Sequence, residues 1–191
     1  MKRQYYRASG GNTIVEFGPA LYIVFVIIAF PMIALGSAGV RYGLLANAAN
    51  MACQQASKAR TFKTDIPAGS GSPAHLSAVH TAQQVASYAC SNIGGGCVNL
   101  TSTSVYVKIQ PLSSLTATPA QPAANTPLTA NLLNPTLYSY TCEVVLVGSI
   151  APVLPVGWKA FSGFSVPLLN APLQTSARAD YIFENNLNLS I

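Results

Sequence analysis

The stretch Gly10–Ala34, GGNTIVEFGPALYIVFVIIAFPMIA, is almost purely apolar and carries one carboxylate, Glu16, close to its start. From Phe17 to Val40, 24 successive residues include no Asp, Glu, Lys, Arg or His. At about 1.5 Å per helical residue such a run reaches about 36 Å, more than a hydrocarbon core of about 30 Å. The sequence therefore predicts a long N-terminal helix over residues 12–62 that begins as a transmembrane span. Pro19 falls in its first turns, where a missing N–H is tolerated, and Pro31 lies deeper and predicts a kink. A carboxylate at the mouth of an apolar span is expensive, so Glu16 is read as functional.

Around this stretch the chain is sparsely charged. It has 191 residues, enough for one modest domain, and 8% of them are charged against roughly 25% in a typical soluble domain. Lys2, Arg3 and Arg7 supply +3 of the formal +5. From Gly11 onward seven basic residues against five acidic ones leave +2, scattered singly. No basic stripe with interleaved aromatics exists, which argues against nucleic-acid partners. Positive charge ahead of the span, with only Arg41 soon after it, predicts a cytoplasmic N-terminus and an exported C-terminal region.

Downstream, YGLLANAANMACQQASKARTF continues the helix, with Ala48, Ala52 and Ala56 in one row and Ala49, Cys53 and Ser57 in a second. Such small rows admit a close neighbour. DIPAGSGSP, residues 65–73, reads as a flexible break. AHLSAVHTAQQVASYAC reads as a second helix started near Ser72 and Pro73, with Leu76, Val79, Val85, Ala86 and Ala89 as its buried stripe. TSTSVYVKIQPL, LYSYTCEVVLVGS and LQTSARADYIF read as strands, with Tyr140, Cys142, Val144 and Leu146 sharing one face of the second. Residues 113–136, rich in Pro, Thr, Ala and Asn, read as a long irregular insertion, and APVLPVGWKAFSGF as a broken apolar loop. The expected fold class is α+β. A basic leader (1–11) precedes the transmembrane and extended N-terminal helix (12–62), and an exported domain (63–191) carries a second helix and a small antiparallel sheet.

Four cysteines follow the span, an even number in a region expected to be exported, and they permit three disulfide pairings. Cys90 with Cys97, closing a local loop, and Cys53 with Cys142 form the favoured set. No close CxxC pair suggests zinc, and no metal or other cofactor is expected.

The N-terminal stretch admits three readings. A cleavable secretory signal has a shorter apolar run and a small-residue cleavage site, neither of which is present. A plain anchor explains the length but not Glu16. The third is a type IV prepilin-like leader: a short basic segment ending in Gly11, a cut before Asn12, and Glu16 as the fifth residue of the mature chain. IVEFGPALYIVFVIIAFPMIALGSAGVRYGLLANAANMACQQASKA resembles the N-terminal region of TadE-like minor pilins, or pseudopilins, of the tight-adherence (Tad) pilus, well over residues 10–60. SYTCEVVLVGSIAPVLP and LQTSARADYIF resemble that family more loosely, over 138–183.

The resemblance implies an inner-membrane single-span protein of a bacterium, with its domain in the periplasm or the pilus. It implies a prepilin peptidase, other pilins, pilus-assembly proteins and the membrane as partners, and a part in adhesion or secretion. Glu16 would then compensate the α-amino group freed at Asn12 of a neighbouring subunit, since each charge alone is costly in an apolar bundle.

No catalytic motif emerges, and no enzyme activity is expected. His75 and His80 are five residues apart, about 140° around a helix, and do not share a face. No G-x-S-x-G, H-E-x-x-H or phosphate loop is present. The competing expectation is a membrane-anchored exported binding domain that enters no fibre.

Overall fold

The computed structural model describes residues 13–69, 74–93, 98–114, 118–151, 171–184 and 189–190. The leader, the cleavage pair Gly11 and Asn12, Cys97 and most of the loop after residue 151 lie outside the described residues.

The apolar run corrects the first expectation. It folds as α1 (Thr13–Val24), a π-helical turn at Phe25–Ala29, and α2 (Phe30–Ala56). Pro31 accounts for the break. It offers no N–H to the carbonyl one turn back, and its ring crowds that carbonyl, so the ladder widens just ahead of it. The 12 residues of α1 rise only about 18 Å. The 27 residues of α2 are longer, but Arg41 and then Asn47, Asn50, Gln54 and Gln55 dilute their apolar character. Among the described residues no helix is long and apolar enough to cross a membrane. The expected transmembrane helix, and with it the single inner-membrane span, is therefore not what this chain forms over residues 13–56.

The α+β class and the antiparallel sheet stand. β1 (Val98–Pro111), β2 (Tyr138–Ile150) and β3 (Leu173–Ile182) form a three-stranded antiparallel sheet with β2 central. Their alternation decides which face is dry. Val105, Val107 and Ile109 of β1, Tyr140, Cys142, Val144 and Leu146 of β2, and Ala177 and Ala179 of β3 are all buried together. The C-terminal half of α2 lies on that face through Leu45, Ala48, Ala49, Ala52, Cys53 and Ala56. The small rows expected from the sequence are thus the contact surface. Gly148 belongs to the same fit: a Cβ there would stand 3.1 Å from Val98 and 3.5 Å from Leu45.

α3 (Ala78–Tyr88) packs against α2 and buries Ala78, Ala82 and Ala86. It starts several residues later than Ser72–Pro73 suggests, because Ser77 is the N-cap and its hydroxyl accepts from the His80 N–H. Leu76, Val79 and Val85 are half-buried, so the stripe is an alanine row with larger residues at its margins.

The insertion is irregular, as expected, but docked. Ala120 pairs with Ile109, and Asn125 pairs with Val105 through both its backbone N–H and its side-chain oxygen. This covers part of the outer edge of β1, a position that would otherwise present unpaired backbone groups. Asn125 adopts φ 55°, a left-handed conformation that Asn tolerates better than most residues. The buried Tyr140 fastens the far end: its hydroxyl donates to the Leu132 carbonyl (2.6 Å) and accepts from the Asn134 N–H (2.7 Å).

Candidate functional site

The surface that demands explanation is the N-terminal half of the helical arm. Phe17 is 67% exposed, Tyr22 68%, Phe25 61%, Met32 67% and Val40 68%. Fully burying one such side chain is worth about 1.5–3 kcal/mol, so leaving many of them uncovered is a large standing penalty. A helix that is apolar all round belongs inside something. The arm changes character near Arg41, whose guanidinium donates to the Ala151 carbonyl at the end of β2. From Leu45 onward the same helix is covered by the sheet. The arm is thus divided: the second half of α2 is committed to its own domain, while among the described residues ahead of it the large apolar side chains are exposed and only the small Ala34 and Ala38 are buried.

Glu16 lies within α1. Gly11 and Asn12, the expected cleavage pair, fall outside the described residues. Of the cysteines, Cys53, Cys90 and Cys142 are buried free thiols, while the expected partner of Cys90, Cys97, is outside the described residues. Cys53 and Cys142 are brought together between α2 and β2, where the Cys53 thiol donates to the Cys142 carbonyl (3.2 Å).

On the sheet face turned away from the helices, Tyr106, Glu143 and Asp180 stand in register across the three strands. Glu143 is buried although it belongs to the outward alternation of β2. The insertion covers it, and Gln121 donates to its carboxylate at 2.6 Å. Lys108 lies 3.3 Å from Glu143 and 3.1 Å from Asp180. Partial burial would lower the Lys108 ammonium, but its bonds to Asp180 and Glu143 outweigh this and raise it above the ordinary lysine value. Beside them opens a cavity of about 420 Å³, with Tyr106 and Arg178 at its wall. The Glu143 carboxylate is taken up by neighbouring donors, so the cluster ties the insertion to the sheet.

Asp65 holds a second polar site. Its carboxylate accepts from the Ser77 N–H (2.7 Å) and meets His80 Nδ1 at 2.7 Å. These contacts join residues twelve and fifteen apart in sequence, so no local motif marks Asp65. The signal available was the Ser77-x-x-His80 start of the second helix, with an acidic residue free to cap it. Among the described residues no group of three or more His, Cys, Asp or Glu side chains is placed to hold a metal ion.

No family model, curated protein or solved structure matches this chain.

Proposed function

We propose that this chain is a TadE-like minor pilin, or pseudopilin, that takes part in assembling a Tad-type pilus for adhesion or secretion. The bare apolar arm carries the reading. A fibre built by lateral packing of N-terminal helices would cover residues 17–40 while leaving the α+β domain outside the bundle. The leader pattern ending at Gly11, and Glu16 five residues into the chain after the cut, support the same assignment. The proposed partners are other pilins, pilus-assembly proteins and a prepilin peptidase, with the domain in the periplasm or the pilus.

Within the bundle, the Glu16 carboxylate meets the amine freed at Asn12 of a neighbouring subunit. Removing one member of such a buried pair strands the other charge, at about 3–5 kcal/mol. Glu16→Gln is therefore expected to be processed normally and to lose co-purification with the other pilus components, at equal amounts of each form. Equal recovery of partners would remove the role of the carboxylate.

A second reading, an exported binding domain outside any fibre, is favoured by the cavity beside Glu143. It places function at Tyr106 and Arg178 and leaves Glu16→Gln without effect.

A further inference from the structure

Cys53 is near the C-terminal end of α2 and Cys142 is in the middle of the central strand, 89 residues apart in sequence. Both are completely buried in the layer where α2 meets the sheet. The Cys53 thiol reaches the Cys142 backbone carbonyl at 3.2 Å. In the sheet Cys142 stands between Val107 of β1 and Tyr181 of β3, with the buried Val105, Val144 and Ala179 one pair along the same face.

From this placement we infer that Cys53 and Cys142 are a structural disulfide pair that clips the covered end of α2 to the central strand. The clip sits near the C-terminal end of α2, so it fixes the covered end of that helix against the sheet. Its chemistry is thiol–disulfide exchange with a small or protein disulfide as oxidant. One cysteine thiolate attacks a sulfur of the oxidant and releases the first leaving thiolate. The second cysteine thiolate then attacks the resulting mixed disulfide and releases the other. One S–S bond forms, one breaks, and the two protons end on the two thiols of the reduced oxidant. Both thiols are fully buried in the folded reduced chain, so exchange proceeds through opening of the α2–sheet layer, and the finished bond is shielded from reductants by the same packing.

The test supplies its own oxidant and so stands apart from the proposed function. Full-length reduced protein in mild detergent is incubated with glutathione disulfide until its free-thiol content is constant. The remaining thiols are then blocked with N-ethylmaleimide under denaturing conditions, and the protein is digested without reduction. The expected product is a peptide pair joined through Cys53 and Cys142, lighter than the two reduced peptides by two hydrogens. With Cys90 and Cys97 both replaced by Ser, dithiothreitol should lower the thermal midpoint of the oxidised protein but leave the further Cys53→Ser variant unmoved. Recovery of Cys53 and Cys142 as blocked thiols, or of either joined to Cys90 or Cys97, overturns the inference. A Cys90→Ser, Cys97→Ser double variant, which retains only the pair in question, must give the same link.

Discussion

Asp65 is the residue whose role depends most plainly on pH. Its carboxyl is lowered from the ordinary 3.8 to about 2, first by the Ser77 backbone N–H and then by His80. A carboxyl depressed on folding adds stability above its unfolded value, and that stability is lost as pH falls through the folded value. The contribution of Asp65 should therefore be constant at neutral pH and disappear between 3.8 and about 2. Asp65→Asn keeps an oxygen for the Ser77 N–H and removes the charge. Denaturant midpoints measured down the pH scale should show the variant below the wild type at neutral pH, with the gap closing across that window. Parallel curves through the window would mean that the carboxylate charge gives α3 nothing. Only the Ser77-x-x-His80 spacing was legible in the sequence; its pairing with Asp65 was not, because the two meet only where Ile66 bridges His75. Glu143 eluded the sequence for a similar reason. Alternation put it on the outward face, and only the docked insertion makes that face dry.

The elements were legible in proportion to how local their signals are. Alternating β-branched residues mark β1, β2 and β3 to within a few residues at either end, and the buried face Tyr140, Cys142, Val144 and Leu146 was read directly. The start of α3 was not, since Ser72–Pro73 and Ser77 are both plausible caps and a tertiary contact chooses between them. In the apolar run Pro31 marks a kink in one continuous span, and the chain instead divides ahead of it into α1, a π-helical turn and α2.

The same helix supplies a two-sided test. Ala52 is fully buried against the sheet, so Ala52→Leu overpacks the layer and should cost about 1–3 kcal/mol in denaturant unfolding. Leu35 is 64% exposed on the bare half, so Leu35→Lys should change domain stability by no more than about 0.5 kcal/mol. Leu35→Lys should nonetheless abolish recovery of partners. A large loss of stability at Leu35, or none at Ala52, would place the boundary between the two halves elsewhere.

At the scale of the molecule, the chain divides into a part that satisfies itself and a part that does not. The sheet, the second half of α2, α3 and the insertion close around one core. The arm from residue 17 to residue 40 carries apolar side chains that this core leaves uncovered, at a length the domain cannot wrap. On that asymmetry rests the proposal that the arm is an assembly surface, completed by the helices of other pilus subunits. It is tested most directly by in-cell crosslinking with a photoreactive phenylalanine at Phe25, 61% exposed on the arm, and in a control at Tyr88, 60% exposed on α3. The account predicts adducts with further copies of this chain or with other pilus subunits from position 25 and none from position 88. No protein adduct from position 25, or equal adducts from both positions, would contradict it.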